Sequence, residues 1–322
     1  MSDDVSLKVE VPVSYRGNNR IAGTLVSAVM VLGIAWQAVG QDVEPRRWSP
    51  VPVDINYAGA FYGYTRGDVL FDPVLQLEDV TMDLQTVAVK YLRTFALLDR
   101  SARAEILLPY QDAEWDGLLK GEPATAYRTG FSDPSVRFAV NLIGVPPLSG
   151  KEFAEHRASH PVETTVGMGL LVRLPLGQYY EDKLLNLGEN RLAVRPELGV
   201  EHSYHKWLFE LTGSALIFAD NDEFWNGNKL EQDPLCVMQG HVNYFLRPGM
   251  WVGCGAAYGF AGESAINGVD KGDDKGNLIS GLVFGMPLSR GMGLRLSYLN
   301  NHTTKDTGLN SDTLAVSVSS MF

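Results

Sequence analysis

From residue 53 to the last residue, the sequence divides into segments whose side chains alternate between apolar and polar. This alternation is typical of a β-strand with one face in an apolar environment and the other in a polar one. Clusters of Gly, Pro, Asn and Asp separate the segments. The twelve predicted strands are 53–66, 81–96, 101–113, 131–143, 162–176, 190–203, 205–219, 234–247, 250–262, 277–289, 291–302 and 311–322.

The connections between these segments alternate in length, as in bacterial outer-membrane barrels, which have long extracellular loops and short periplasmic turns. The long connections are 67–80, 114–130, 177–189, 220–233, 263–276 and 303–310. The tight ones are 97–100, Tyr204 alone, 248–249 and Arg290. One connection on the short side, 144–161, is long and contains a stretch typical of a helix. We therefore predict an all-β fold, a transmembrane antiparallel up-and-down β-barrel of twelve strands; a soluble sandwich is the alternative.

The last strand fits the closing strand of such a barrel. Leu314, Val316 and Val318 share its apolar face with Phe322. In a barrel this face contacts lipid, and Phe322 lies at the periplasmic interface. We expect Phe322 to engage the barrel-assembly machinery, and we expect outer-membrane lipid and lipopolysaccharide to surround the barrel.

Tryptophans are expected at the membrane boundaries, where an indole keeps one edge in water. Trp207 and Trp251 each follow a short turn, which predicts positions at the periplasmic lipid boundary. Trp115 falls at the opposite rim by the same reasoning.

The first forty residues resemble an export signal. An uncharged run from Ile21 to Trp36 follows two arginines and precedes the small residues Ala38 and Gly40. A span needs about 20 apolar residues, so this run is short for a retained transmembrane helix. We predict a cleaved signal peptide at 1–40, a periplasmic N-terminal segment at 41–52 and the barrel at 53–322, located in the bacterial outer membrane.

The two cysteines are predicted to be free. The turn at 247–249 sets Cys236 opposite about residue 260 of the next strand. Cys254 then lies roughly 20 Å away along that strand. A disulfide requires Cα atoms within about 7 Å.

The sequence contains no motif for a cofactor or for phosphate binding, and its formal charge of −11 argues against a nucleic-acid partner. His202 and His205 form a metal half-site or, as we favour, a solvated turn. The acidic residues of one extracellular loop either bind Ca²⁺, bridge lipopolysaccharide through divalent ions, or are simply solvated. They are Asp220, Asp222, Glu223, Glu231 and Asp233.

Strand parity turns a set of ionisable side chains toward the barrel interior. They form a network of ion pairs that fills the barrel, line a pore, or do both. Twelve strands leave a narrow or loop-gated lumen, in which 114–130 or 144–161 is a candidate plug. The predicted pore-lining residues are Lys90, Arg103, Glu105, Arg137, Arg173, Arg195, Glu197, Glu210, His241 and Arg295.

The chain also resembles a known family over about residues 55–322, in a series of ordered stretches. They are Asn141-Leu142-Ile143-Gly144-Val145-Pro146, Pro175-Leu176-Gly177-Gln178-Tyr179, Asn186-Leu187-Gly188-Glu189-Asn190-Arg191, Arg195-Pro196-Glu197-Leu198-Gly199-Val200, Asp220-Asn221-Asp222, Glu231-Gln232-Asp233-Pro234-Leu235 and Arg247-Pro248-Gly249-Met250-Trp251. The family is the MetA pathway of phenol degradation, a group of outer-membrane proteins usually described as transporters. The resemblance implies a barrel that moves hydrophobic or aromatic molecules.

These observations together predict an outer-membrane channel, not an enzyme, that passes small molecules by passive diffusion, hydrophobic or aromatic ones included. Two alternatives stay open. One is an outer-membrane hydrolase that uses His241 with Asn243, although parity places His241 in the lumen rather than toward lipid. The other is a sealed structural barrel.

Overall fold

The structure is a computed structural model and describes residues 43–71 and 77–322. The predicted signal peptide, residues 1–40, lies outside the described residues.

Twelve strands form one closed antiparallel sheet, as predicted. Each strand pairs with its neighbours around the cylinder, and the last strand pairs with the first. The barrel strands are β1 (Asn56–Leu70), β2 (Leu77–Leu97), β3 (Arg100–Leu119), β5 (Ser135–Ile143), β6 (Val162–Arg173), β7 (Ala193–Tyr204), β8 (Trp207–Phe218), β11 (Leu235–Arg247), β12 (Met250–Ala261), β15 (Lys275–Ser289), β16 (Met292–Thr303) and β17 (Gly308–Met321).

Five shorter strands and a helix lie in the connections. β4 (Glu122–Phe131) pairs with the end of β3 and continues the wall on the extracellular side. A separate four-stranded sheet is built from β9 (Asn221–Phe224), β10 (Asn228–Gln232), β13 (Ser264–Ile266) and β14 (Val269–Asp270). Helix α1 (Gly150–Ser159) lies on the periplasmic side and has no buried residue. Within the described part of the chain, no helix is long and apolar enough to cross a bilayer.

The outer surface of the cylinder is apolar. Leu198, Leu282 and Leu314, on three different strands, are among its most exposed side chains. A closed barrel pairs every strand edge, which is the condition for crossing a bilayer with strands. The apolar outer face and closed antiparallel sheet place the protein in the bacterial outer membrane, in contact with its lipids.

The tryptophan predictions are confirmed in part. Trp207 is exposed on the outer face, with its ring 4.7 Å from that of Tyr244. Trp251 instead faces inward and is buried, which corrects the prediction. A bulge at the end of β11 sets Trp251 opposite inward-facing Phe245, and the indole packs over Gly285. Trp115 also lies on the inner face, in an apolar cluster.

The cysteine prediction is confirmed. Cys236 pairs across the sheet with Phe260, and Cys254 pairs with Val242. Both thiols are free.

Two apolar clusters lie on the extracellular half of the inner wall. The first, here the β1–β3 cluster, contains Val69, Phe71, Val80, Met82, Leu84, Ala113, Trp115, Leu187 and Leu309. The second, here the Val43 cluster, contains Val43, Ala193, Leu216, Leu235, Val237, Ala257 and Ile279. Leu187 and Val43 come from outside the barrel strands, so segments of the chain fill part of this mouth.

Candidate functional site: the lumen and the segment inside it

Residues 43–49 lie inside the barrel and are called the plug below. The backbone N–H of Val53 donates to the carbonyl of Leu148 at the periplasmic end, at 2.9 Å. Val43 packs in the cluster that holds Ala193, the first residue of β7 on the extracellular side. The plug therefore rises through the lumen from the periplasmic rim. This corrects the expectation that 41–52 is a periplasmic segment, since residues 43–49 contact the inner wall.

The indole of Trp48 occupies a slot made for it on the wall. Gly167 of β6 and Gly199 of β7 pair directly across the sheet, and a Cβ on either one would overlap the ring. Trp48 Nε1 donates to Thr212 Oγ1 at 2.8 Å. The guanidinium of Arg137 lies over the ring, 5.1 Å from its centroid. Because both glycines are needed for this close approach, the slot fixes where the plug binds.

Buried carboxylates on the wall bind the rest of the plug. Glu197 Oε1 accepts from Arg47 Nη1 at 2.8 Å, and its other oxygen accepts from Arg137 Nε at 2.8 Å. Arg195 Nε also donates to Glu197, at 2.9 Å. Removing one partner of such a buried network leaves an uncompensated charge, so the network favours one position of the plug.

Further contacts fasten both faces of the plug. The backbone N–H of Arg46 donates to Glu210 Oε2 at 2.7 Å, and Ser49 Oγ donates to Glu201 Oε2 at 2.6 Å. The Arg46 guanidinium lies over the rings of Phe245 and Trp251, at 5.3 and 5.4 Å from their centroids. The plug thus contacts β7, β8, β11 and β12.

On the other side of the lumen, Glu44 joins two wall cations. Its carboxylate lies 3.0 Å from Lys90 Nζ and 3.5 Å from Arg295 Nη1. Lys90 also pairs with Glu105 at 2.7 Å. The side chains of Glu44, Lys90 and Arg295 are 26%, 33% and 32% exposed, whereas the groups around Glu197 are nearly fully buried. Water therefore reaches this side of the plug.

The structure places all ten predicted interior residues on the inner face. Glu210 contacts the plug backbone, and Arg103 donates to the carbonyl of Arg47. Arg173 lies apart, at the extracellular end of β6, where it pairs with Glu189 at 2.8 Å. His241 is buried on β11 against Gly255. Whether a solute passes along these side chains stays a prediction.

Neither candidate plug of the sequence fills the lumen. Residues 122–131 pair along β3 as a hairpin. In the 144–161 connection, α1 stays exposed, but its Arg157 donates to inward-facing Ser203 at 3.3 Å and pairs with Glu163 at 3.2 Å, so this connection covers part of the periplasmic opening. The true plug was missed because residues 43–49 carry no strand alternation. The available signal was the inward-facing pair Gly167 and Gly199, which leaves a gap that only another side chain fills.

The extracellular connection 174–192 closes over the mouth of the barrel. Asp133, next to β5, accepts hydrogen bonds from the backbone N–H groups of Gly177 at 2.8 Å and Glu189 at 2.9 Å. Burial raises the pKa of Asp133 to about 6, although these hydrogen bonds oppose the rise. Burial also raises the pKa of Glu189, but Arg173 and Arg191 outweigh it and leave that pKa below its ordinary value.

The acidic loop of the sequence forms part of the four-stranded extracellular sheet. Lys229 Nζ lies 2.7 Å from Asp220 and 2.9 Å from Glu231, so one lysine pairs with two of its carboxylates. At the periplasmic end, His202 bonds Thr164 Oγ1 at 2.9 Å, and His205 lies in the β7–β8 turn. Among the described residues, no three His, Cys, Asp or Glu side chains come together to hold a metal ion.

Comparison with solved structures shows the same fold in another outer-membrane protein. The crystal structure of an outer membrane channel from Pseudomonas putida F1 matches with a TM-score of 0.73 and 20% identity, covering 87% of this chain and 100% of that one. The β domain of the Bordetella autotransporter BrkA matches at 0.46 and 12%, covering 84% and 100%. The CymD monoaromatic hydrocarbon channel matches at 0.44 and 6%, covering 84% and 89%. The first likeness shows the fold, and the other two are too weak to bear on function.

No curated protein matches the sequence. The family described as MetA-pathway of phenol degradation matches residues 66–316, which include strands or parts of strands from β1 to β17. That match extends over most of the barrel, and the chain belongs to this family.

Proposed function

We propose that the protein is a passive outer-membrane channel for small molecules, hydrophobic or aromatic ones included, and that the plug controls passage. The observation that carries this is the partial exposure of Glu44, Lys90 and Arg295 within the lumen. Charged groups reach water there, while the opposite face of the plug is dry. Space beside the plug that water can enter supports a channel over a sealed barrel.

The inner wall is asymmetric in a way that supports this path. The half formed by β3 and β5–β8 carries the buried charges that bind the plug. The half formed by β16, β17 and β1 carries small side chains that remain partly exposed. Examples are Gly293, Ser317, Ser319 and Gly59. The predicted pore-lining role belongs to the cations at the border of this second half, Lys90 and Arg295.

The extracellular mouth favours solutes with apolar surface. The aliphatic and aromatic side chains of the β1–β3 cluster and the Val43 cluster are buried against Leu187 and Val43, so a solute contacts them when those two segments move aside. Transfer of apolar surface from water to such a site is favourable, by roughly 25 cal/mol per Å². The family's association with phenol degradation agrees with this substrate class.

Three further expectations belong to the proposal. The protein is not an enzyme, and the buried position of His241 against Gly255 gives no support to a hydrolase. Lipopolysaccharide surrounds the outer leaflet side of the barrel. Phe322 pairs with Asn56 through backbone hydrogen bonds of 3.0 Å and leaves its ring exposed, which suits recognition by the barrel-assembly machinery.

The test is the ion conductance of purified protein in planar bilayers, with solute uptake by liposomes as a second measurement. We expect a small conductance from the wild type and a several-fold larger one from Gly199→Ala, whose Cβ expels the Trp48 indole from its slot. Gly240→Ala is the matched control, because its Cβ would lie 3.6 Å from the nearest atom.

Heat-dependent gel mobility shows whether each variant has folded as a barrel. If folded wild type and folded Gly199→Ala both show neither conductance nor uptake, the barrel is sealed and the proposal is wrong.

A further inference from the structure

Two wall cations share one carboxylate of the plug in the water-accessible part of the lumen. Lys90 comes from β2 and Arg295 from β16, on opposite sides of the seam between β17 and β1. Glu44 lies between them, 3.0 Å from Lys90 and 3.5 Å from Arg295. The arrangement is that of an anion-binding site with its anion supplied by the same chain.

Several inward-facing side chains on the wall between the two cations are small. Gly59 of β1 pairs with Lys90 on one side and with Ser319 on the other. Ser317 of β17 pairs with Arg295 on one side and with Phe61 of β1 on the other, and the Phe61 ring lies over Gly63. Gly59, Ser317 and Ser319 carry at most a hydroxymethyl group, so the cations border a recess beside Phe61 rather than a packed layer.

The residue next to Glu44 adds an apolar part. Val43 is buried in its cluster among aliphatic side chains from β7, β8, β11, β12 and β15. Phe218 and Leu299 pack against the same cluster. Val43 and Glu44 together therefore present an apolar group and a carboxylate to adjoining apolar and cationic surfaces.

The Glu44 contacts hold the plug less firmly than the network around Glu197 does. Their side chains are about one-quarter to one-third exposed, so water screens these ion pairs more than the buried pairs of Glu197. A guanidinium and an ammonium group bind any carboxylate of suitable shape through charge-assisted hydrogen bonds. A solute carboxylate is thus able to replace that of Glu44 at small cost to the fold.

We propose that Lys90, Arg295 and the adjoining apolar surface form a binding site for small organic acids with an apolar body, aromatic carboxylates among them. Val43 and Glu44 occupy this site in the ligand's place, and binding of the acid displaces this end of the plug. The inference rests on the proposed function, since the acid reaches the site through the lumen.

The test is equilibrium binding of benzoate to the purified protein in detergent. Benzyl alcohol, which lacks the charge, and acetate, which lacks the apolar body, are the matched probes. We expect benzoate to bind at least about tenfold more tightly than either probe, as the loss of a charge-assisted contact or of a buried ring implies.

Three variants locate the site. Glu44→Gln removes the internal competitor and lowers the Kd for benzoate by about tenfold, if the plug vacates the site roughly one-tenth of the time. Arg295→Gln raises the Kd by about tenfold or more. Arg66→Gln, at an exposed arginine on the outer face of β1, leaves the Kd unchanged. Lys90→Gln replaces Arg295→Gln if the latter fails to fold.

Equal benzoate affinity in the wild type, Glu44→Gln and Arg295→Gln overturns the site, and so does an absence of binding to Glu44→Gln. Conductance without benzoate, measured on the same preparations, separates the two proposals. Benzoate binding without any conductance contradicts the channel function and supports the binding site. Conductance without benzoate binding contradicts the binding site alone.

Discussion

The carboxyl group of Asp133 has its pKa raised by its buried position in the fold. It lies between β4 and β5, and its two carboxylate oxygens accept backbone N–H groups from the connection that covers the barrel mouth. Burial disfavours the charged form, and it raises the pKa to about 6 despite these hydrogen bonds. The stability of the connection 174–192 therefore depends on pH through the ionisation of Asp133.

We expect this coupling to appear in hydrogen exchange. An unfolded Asp has a pKa of about 3.9, so between that value and about 6 the folded state binds more protons than the unfolded state. The stabilisation by protonated Asp133 is complete below the unfolded pKa and is lost as the pH rises through about 6. Peptides of residues 174–192 should be better protected at pH 5 than at pH 7.5, by at most roughly 1.4 kcal/mol after correction for intrinsic exchange.

Asp133→Asn is the control for that measurement, because its amide does not titrate. The variant loses one backbone hydrogen bond at all pH values, at a cost of about 1 kcal/mol, and its protection no longer depends on this ionisation. The same pH dependence in the wild type and in Asp133→Asn would show that another group is responsible.

The sequence predicted which residues face the interior but not which of them meet. The side-chain period of a strand is local, so parity alone placed Arg137, Glu197 and Arg295 on the inner face. That Arg137 covers Trp48 depends on a segment about ninety residues earlier in the chain. The alternation of side chains along a strand gives no information about such a distant partner, so the plug and its contacts were identified only in the three-dimensional structure.

At the level of strands, the polarity of the outward face decides where the membrane ends. On β2 and β3 the outward side chains change from Val87 and Tyr110 to Asp83 and Glu114 toward the extracellular side. The strands continue past this change, and β3 reaches Leu119 rather than residue 113 as predicted. The polar outer residues were interpreted as loop, whereas paired backbone continues above the lipid.

A charge placed on either side of this boundary should have different effects. Leu198 of β7 and Tyr127 of β4 are both 60% exposed on the outer surface, but Leu198 lies in the apolar belt and Tyr127 beyond it. Leu198→Arg should destabilise the barrel by about 2–4 kcal/mol if it lies near the bilayer midplane. Tyr127→Arg should change stability by about 0–1 kcal/mol, since Arg pairs there with Glu114 in water.

Urea unfolding of both variants in lipid bilayers measures the difference. Equal destabilisation by the two substitutions would mean that the belt has been placed wrongly on β7 or β4.

For the whole molecule, the alternation of long and short connections predicted a barrel and its orientation in the membrane. The twelve strands correspond one to one with the predicted segments, because turn residues lie between them, although β1, β2 and β3 extend further on the extracellular side than predicted. Closure itself is not local, and it followed from the even strand number and from the apolar final strand. Neither the strand number nor the final strand predicted that residues 43–49 lie in the lumen.

The orientation predicts which lysines are accessible from outside the cell. Lys120, Lys183 and Lys305 are exposed in extracellular connections, whereas Lys151 of α1 and Lys206 of the β7–β8 turn are exposed on the periplasmic side. A membrane-impermeant amine reagent applied to intact cells should modify the first group alone, as read by mass spectrometry. After permeabilisation of the outer membrane, Lys151 and Lys206 should react as well. Their reaction in intact cells would invert the assigned topology.

Residues 50–55 tether the plug to β1 at the periplasmic rim. A short tether keeps a released end at an effective concentration on the order of millimolar, whatever the amount of protein in the membrane. Rebinding of the plug is therefore unimolecular. A molecule that holds the lumen open has to compete with the tethered end of the plug, which cannot diffuse away. The plug therefore stays bound at trace concentrations of solute and is displaced when the solute concentration outside the cell is high.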